Sequence, residues 1–379
     1  MTYDVTIVGA GLAGLQCARL LARRGIRVLI VDRKSDLRRQ IHTTGIFVRR
    51  TLEDFGLAPA LLGPPVRRVV LHSPRGAQQI LESPHEEFRV GRMGAIYEAL
   101  LRQALIAGAA WRPRTRFAAL DGDDVVLEAN GREARVRSRF VVGADGARSR
   151  VAAALGLDAN HELIVGIEDV VAGVPLDGPP ALHCFLDPTL APGYIAWAAH
   201  DGLELHLGTG GYAGAFSPGE ALAALRRRVA PLFDLGAGTV IERRGGRIPV
   251  GAILPRISCA RGLLVGDAAG AVSPLTAGGL DGAMRLSRFA AEVLATAIER
   301  DDDAVLRLYS GEAFRARFLS RRWMRRALAT VRSEAVVEAG CALLRIPPFS
   351  HLAWHVFFGR GSFPEPDRVA PREEAPVRG

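Results

Sequence analysis

The chain has 379 residues, 49% of them apolar and 23% charged, a composition ordinary for a soluble protein and a length that suits about two domains. Its formal net charge of +9 rests on arginine, with Lys34 the only lysine; that usage reflects codon bias more than a nucleic-acid task, yet it still favours anionic partners such as phosphates and acidic lipid surfaces. Four scattered cysteines, Cys17, Cys184, Cys259 and Cys341, support neither a disulfide framework nor a metal site; a first strand at residue 3 with no leader before it, and no apolar run of the ~18 residues a spanning helix needs, predict a cytoplasmic protein, soluble or peripherally bound.

Tyr3 to Val8 reads as a short apolar strand running into Gly9-Ala10-Gly11-Leu12-Ala13-Gly14 and then into an Ala/Leu/Arg-rich helix over 13–24. Glycines at this spacing allow a tight turn, bring the N–H groups around Gly11, Leu12 and Ala13 close to a pyrophosphate, and pack helix against sheet. A second strand, 27–31, ends in Asp32, near the ~20-residue distance at which an acid accepts hydrogen bonds from an adenosine ribose. Arg33 beside it is a further candidate nucleotide contact. The register indicates a Rossmann-type dinucleotide site and leaves NAD and FAD both open.

The loop Ile41-His42-Thr43-Thr44-Gly45-Ile46 is small and hydroxylated, suited to approaching a flat ring as well as to an ordinary surface; Thr43 is its candidate contact. A helix follows over 49–55, then strands over 66–72 and 77–82. Arg92 precedes a helix over 93–107, where it is either solvated or reaches back to a phosphate or ribose. Strands over 117–120, 124–128 and 134–137 form a meander, with Asn130-Gly131 as a hairpin turn. The apolar strand from Phe140 breaks at Gly143-Ala144-Asp145-Gly146, where Asp145 suits a hydroxylated chain or a nearby cation as well as a plain turn.

Residues 162–250 are rich in strand and turn signals and predict an antiparallel second domain covering the cofactor, with Pro192-Gly193-Tyr194 and Trp197 inside it. At Gly262 to Ala283 a buried strand ends in Gly266-Asp267, the chain crosses Pro274, Gly278 and Gly279, and a long helix starts near Leu280. Its bare N–H groups can face a ring oxygen or a phosphate, and Asp267 can accept a hydrogen bond from a polyol. From Asp301 the chain is helical, with seven arginines between Arg315 and Arg332 among aromatic residues. That segment reads as a solvated or domain-packing helix, or as a membrane-surface helix with snorkelling arginines. The proline-rich tail from Pro364 is expected to be disordered.

Taken together, Gly9-x-Gly11-x-x-Gly14, Asp145-Gly146 and Gly266-Asp267-Ala268-Ala269-Gly270 resemble the three FAD elements of the flavoprotein superfamily that holds aromatic hydroxylases and geranylgeranyl reductases. The resemblance spans residues 1 to about 290. It implies an α/β fold with a glutathione-reductase-like FAD domain over 1–65, 88–160 and 251–300, a substrate domain over 66–87 and 161–250, C-terminal helices over 301–363 and the tail over 364–379. It further implies that Asp32 holds the adenosine ribose, Arg92 and Asp145 the nucleotide and its chain, Asp267 the ribityl, and that Gly278, Gly279 and Leu280 face the flavin ring. Pro192-Gly193-Tyr194 with Trp197, and Ser273-Pro274-Leu275-Thr276-Ala277-Gly278-Gly279, are similar to elements of the geranylgeranyl-reductase-like branch. Departures stand at Ala152, where hydroxylases carry an arginine, at Thr43, where the branch often carries a cysteine, and at Ala198-Ala199-His200 in place of a Phe-Pro.

The implied function is an FAD-dependent oxidoreductase saturating a carbon–carbon double bond of a small apolar, isoprenoid-type substrate. Tyr194 and Trp197 would wall the cleft, NAD(P)H or another donor would supply electrons, and neither nucleic acid nor metal would take part. Contact with a membrane would run through the arginine-rich C-terminal helices. The alternatives are an NAD(P)H-dependent flavoprotein monooxygenase of an aromatic or polyketide substrate, and a non-enzymatic prenyl carrier on the same fold.

Overall fold

A computed structural model of the chain describes residues 2–315, 318–359 and 363. The expected disordered tail over 364–379, and Arg317, lie outside the described residues.

The apolar run at the N-terminus forms the strand Thr2–Val8, fully buried from Val5 onward. It lies at the middle of the first sheet, parallel to Val28–Val31 on one side and to the end of Arg132–Gly143 on the other. Ala110–Arg112 and Gly262–Leu264 add parallel neighbours beyond these two. Strands covered on both faces read as continuous apolar runs rather than alternating ones, as Val28-Leu29-Ile30-Val31 and Val141-Val142 do. The helix Leu12–Ala22 packs against this sheet and the helix Leu280–Arg300 packs on that helix, where the Ser287 hydroxyl donates to the Ala13 carbonyl at 2.9 Å. The expected separate strands over 134–137 and from Phe140 are one strand, Arg132–Gly143. Its first half pairs in the meander with Asp124–Ala129 and its second half with Thr2–Val8. The hairpin between Asp124–Ala129 and Arg132–Gly143 turns at Asn130 and Gly131, both at positive φ, as the sequence requires of them.

The second sheet runs Thr239–Pro249, Leu163–Ala172, Glu204–Gly211, Ala196–His200, Ala181–Phe185, Arg68–His72, Gln78–Glu82. It is antiparallel except at one place: Ala181–Phe185 runs parallel to Arg68–His72. The expectation of a wholly antiparallel sheet is corrected there for a physical reason. The two strands arrive from passes of the chain more than a hundred residues apart, so no tight turn fixes their relative direction. A helix unforeseen in this β-rich stretch, Pro218–Val229, covers one face by burying Leu222, Leu225 and Val229. Beyond Asp301 the chain breaks into short helices, the longest of them Leu319–Thr330, Glu334–Leu343 and Phe349–Phe358.

Candidate functional site

The parallel strands Thr2–Val8, Val28–Val31 and Gly262–Leu264 all end at a cavity of about 1300 Å³ whose other wall is the second sheet. Ligands in open α/β sheets bind outside the carboxyl ends of the strands, where connecting loops can shape a crevice. Gly9, Gly11, Leu12, Ala13, Asp32, Arg33, Thr43, Asp145, Tyr194, Trp197, Gly266, Asp267, Gly278, Gly279 and Leu280 all line this one cleft. Two sequence candidates do not. Gly14 lies under the turn, where it lets the helix meet the strand: a Cβ there would sit 2.0 Å from the Gly9 carbonyl oxygen. Arg92 turns away, its guanidinium donating to the Ala60 carbonyl at 2.9 Å.

The first element is made by close backbone approach. Gly9, at φ +109, would drive a Cβ to 2.2 Å from the Ala144 carbonyl oxygen, so the glycine turn and the Asp145 loop are in direct contact. Gly11 is different: a Cβ there meets nothing within 4 Å, because it faces open cleft at the start of the helix Leu12–Ala22. First-turn N–H groups of a helix have no partner within it, which makes this a natural cradle for an anion. Asp32 accepts from the Ala10 amide at 2.7 Å and from the Lys34 amide at 2.8 Å, which fixes it at the cleft edge with lone pairs to spare.

Asp145 and Asp267 share a cleft and differ in state. The Asp145 carboxylate is engaged in its own loop, accepting from the Ser149 hydroxyl at 2.6 Å, the Arg150 amide at 2.7 Å and the Val151 amide at 3.2 Å. It shapes the loop, and the backbone of Ala144 to Ala147 forms the wall. Asp267 has no hydrogen-bond partner for its carboxylate among the described residues, and burial pushes its acid up to about 6. An unpartnered carboxylate facing a polar crevice suits a hydroxylated chain. Asn160 joins the two elements, donating to the Ala147 carbonyl at 3.2 Å and to the Asp267 carbonyl at 2.8 Å. Sequence reasoning missed it, since a lone asparagine in a loop carries no pattern.

At the other end, Tyr194 donates to the Thr276 carbonyl at 2.8 Å, and the Trp197 ring lies flat over Gly208. A Cβ on Gly208 would come within 2.1 Å of that ring. Gly208→Ala is therefore expected to push the indole into the cleft and to cost roughly 1–3 kcal/mol by overpacking, read as a lower denaturation midpoint with a shifted tryptophan emission. The Trp197 indole donates to the Thr44 hydroxyl at 3.0 Å and to Glu168 Oε2 at 3.3 Å, while Thr44 donates to the same oxygen.

Glu168 Oε1 faces His206 Nδ1 at 3.3 Å and Arg244 Nη1 at 3.5 Å, and His206 Nε2 faces Asp201 Oδ2 at 3.6 Å. Burial alone would lower the His206 imidazolium; the carboxylates of Asp201 and Glu168 outweigh it and raise the group to about 9. Burial alone would raise Asp201, yet His206 and two backbone amides bring it down to about 2. Burial likewise opposes ionisation of Glu168, and His206, Thr44 and Arg244 reverse it to hold the carboxyl below its ordinary value. Beyond Trp197 an apolar arm of the cleft is lined by Leu182, Cys184, Ile195, Phe88, Phe357 and Phe358, the last two from the helix Phe349–Phe358. Glu168 and that helix were not legible as parts of the site.

The profile of the FAD binding domain family matches residues 2–321. A digeranylgeranylglycerophospholipid reductase of Methanopyrus kandleri is 34% identical over 362 residues, covering 89% of this chain and 94% of that protein. The enzyme of the same name from Methanothrix thermoacetophila is 30% identical, covering 80% of this chain and 81% of its own. Among solved structures, a geranylgeranyl bacteriochlorophyll reductase-like protein of Thermoplasma acidophilum superposes with a TM-score of 0.81 at 22% identity, covering 95% of this chain and 97% of that one. A flavin-dependent monooxygenase solved with FAD and substrate shares the fold at a TM-score of 0.72 and 21% identity, covering 94% of this chain and 73% of its own. A family match over most of the chain and a relative of this identity, together with a cleft that gathers all three glycine-and-aspartate elements, lead to one conclusion: the chain belongs to the FAD binding domain family and is an FAD-dependent oxidoreductase related to the digeranylgeranylglycerophospholipid reductases.

Proposed function

We propose that the protein saturates carbon–carbon double bonds of a long apolar, isoprenoid-type lipid, with FAD along the glycine turn and the lipid in the apolar arm. The observation that carries this reading is the arm itself. Leu182, Cys184, Ile195 and Phe88 offer a hydrocarbon chain a wall without a charge to desolvate, and the arm meets the ring end of the cleft at Tyr194 and Trp197. The names of the relatives, which are reductases of a prenylated lipid, point the same way.

In this reading Gly11, Leu12 and Ala13 take the pyrophosphate on bare N–H groups, Asp32 the ribose and Asp267 a ribityl hydroxyl, while Thr43, Gly278, Gly279 and Leu280 border the ring. When bound, FAD supplies two-electron hydride chemistry. The residues of the chain bind, orient and keep water out. Tyr194 and Trp197 hold the lipid against the ring, their own polar atoms occupied by Thr276, Thr44 and Glu168. The N-terminus of the helix Leu280–Arg300 favours negative charge at the ring edge. NAD(P)H is the proposed electron donor: Arg33, Arg116, Arg148 and Arg247 are exposed on the same cleft and would meet its phosphates.

No helix of the described residues is long and apolar enough to cross a membrane. A peripheral contact is proposed instead, through the C-terminal helices. Leu319, Trp323, Val336, Ile346, Leu352 and Trp354 are exposed there among arginines, and Phe357 and Phe358 on the last of those helices open directly on the lipid arm.

Anaerobic incubation with NADPH, NADH or a reduced ferredoxin, followed by mass spectrometry of prenyl lipids, is expected to show a gain of two hydrogens per saturated bond with one of these donors. Unchanged lipids with every donor, and oxygen appearing in an aromatic substrate once air is admitted, would instead favour the monooxygenase reading. A purified protein without the yellow flavin absorbance would favour the carrier.

A further inference from the structure

We propose that Glu168 delivers the proton that completes saturation of the double bond, with His206 as its proton store and Asp201 as the residue that holds the store in place. The inference rests on the reductase reading above and adds the one reactant which that reading leaves unassigned. Saturation adds a hydride to one alkene carbon and a proton to the other. A hydrocarbon arm that excludes water cannot draw that proton from solvent at the reacting carbon, so a side chain of the wall has to hold it.

The groups that line the arm are few. The Tyr194 hydroxyl is turned to the Thr276 carbonyl, and burial pushes its proton further out of reach. Burial pushes the Cys184 thiol up to about 12. The Trp197 N–H is not an acid in this range and is directed at Thr44 and Glu168. Asp267 lies on the cofactor side, beside Gly279, with no proton store behind it. Glu168, although its oxygens are also engaged, differs in being a carboxyl with a protonated imidazole directly behind it. It lines the cleft, its Oε2 faces the Thr44 hydroxyl and the Trp197 indole, and its Oε1 faces an imidazole with both ring nitrogens turned to carboxylates.

The charged neighbours come from three strands of one sheet and from the turn at Asp201. Glu168 sits on Leu163–Ala172 and is faced by His206 from Glu204–Gly211 and by Arg244 from Thr239–Pro249, itself paired with Glu242 at 2.8 Å. His206 is faced by Glu168 and by Asp201, whose Oδ1 accepts from the Leu203 and Glu204 amides at 2.8 and 2.7 Å, and the Glu204 carboxylate lies within 4.8 Å of both the His206 and Asp201 side chains. With its imidazolium favoured by those two carboxylates, His206 enters neutral pH carrying a proton in the protein interior.

The step balances as follows. His206 passes its Nδ1 proton to Glu168 Oε1; because the same neighbours keep the proton on His206 and Glu168 ionised, the neutral carboxyl is a transient minor species and a strong acid toward the alkene carbon. Bound FAD, once reduced, would supply the hydride, that is two electrons and one hydrogen, for one alkene carbon, and the other carbon receives the carboxyl proton of Glu168. The π bond is lost and two C–H bonds form. Glu168 is left as carboxylate and His206 as neutral imidazole, which recovers a proton from solvent past the turn at Asp201 to Leu203.

The test uses the full-length, flavin-loaded protein and Glu168→Gln, which keeps the shape of the side chain and removes its acid. In nitrogen-15 histidine spectra one imidazole of the wild type is expected to titrate near 9. Loss of one flanking carboxylate is expected to move that titration toward acid by about one pH unit or more. In single turnovers of reduced protein with a prenyl lipid, Glu168→Gln is expected to lose roughly 100-fold in the saturation rate with flavin absorbance and lipid KM unchanged. Should Glu168→Gln lose its flavin, Asp201→Asn carries both readouts, since Asp201 does not line the cleft. A Glu168→Gln protein that saturates lipid at the wild-type rate, or an imidazole titration unmoved in both variants, overturns the role. Wild-type protein that hydrogenates no lipid overturns the reductase reading itself, and this role falls with it; hydrogenation that persists in Glu168→Gln overturns this role alone.

Discussion

Gly14→Ala is expected to abolish flavin binding and to destabilise the apoprotein by roughly 3 kcal/mol, the upper part of the range for forced overpacking. The added methyl group would lie 2.0 Å from the Gly9 carbonyl oxygen and 3.0 Å from the Ala144 Cβ. The first obstacle is backbone, which has no rotamer to escape into. Relief requires the helix Leu12–Ala22 to move off the strand Thr2–Val8, and that movement carries the anion cradle away from Asp32. Gly11→Ala is the informative contrast. Its Cβ meets nothing within 4 Å in the protein, so the fold should hold while the methyl group intrudes on the ligand. Denaturation curves of the two variants, with flavin fluorescence quenching on titration, separate a lost fold from a lost cradle.

Asp267→Asn is expected to act in opposite directions on stability and on binding. The folded protein raises this carboxyl from 3.8 to about 6 by burial, so the cost of ionising it is absent at low pH and grows as pH rises through that interval. A shift of that size corresponds to about 3 kcal/mol at most, and water in the cleft screens it to on the order of 1–2 kcal/mol. Near neutral pH the apoprotein of the Asn variant should therefore be more stable than wild type by about that amount, with the difference vanishing below the ordinary carboxylate range. Flavin affinity should fall, roughly ten- to hundredfold, because a charge-assisted hydrogen bond becomes a neutral one. Urea denaturation of the apoproteins at two pH values, beside flavin titrations, checks both signs. A site that stores an unsatisfied charge for its ligand trades stability for function in this way.

What the sequence made legible is what backbone geometry dictates. Gly9 and Gly14 are readable because no other residue tolerates those approaches, Gly11 by its spacing between them, and Asp32 because it follows a strand of the same βαβ unit. Asp145 was legible as part of the cleft and not in its state, since only coordinates show Ser149 and two amides already claiming its oxygens. Arg92 was drawn in by its place before a helix, and the nearer Ala60 carbonyl claims it. Glu168, His206 and Arg244 could not be found, because three separate strands bring them together and each is a common residue in an unremarkable strand. The parallel pairing of Ala181–Phe185 with Arg68–His72, and the lining of the cleft by the last helix, were hidden for the same reason: neither is a local property.

The single amide of Asn160 carries a mechanical meaning. Because it grips one carbonyl from each of two loops that come from distant parts of the chain, the floor beneath the cofactor behaves as one stiff plate. Any breathing needed to admit a bulky guest then falls on the opposite wall, where the loop at Thr44 is held by side-chain hydrogen bonds to Glu168 and Trp197 and the helix Phe349–Phe358 by apolar packing alone among the described residues.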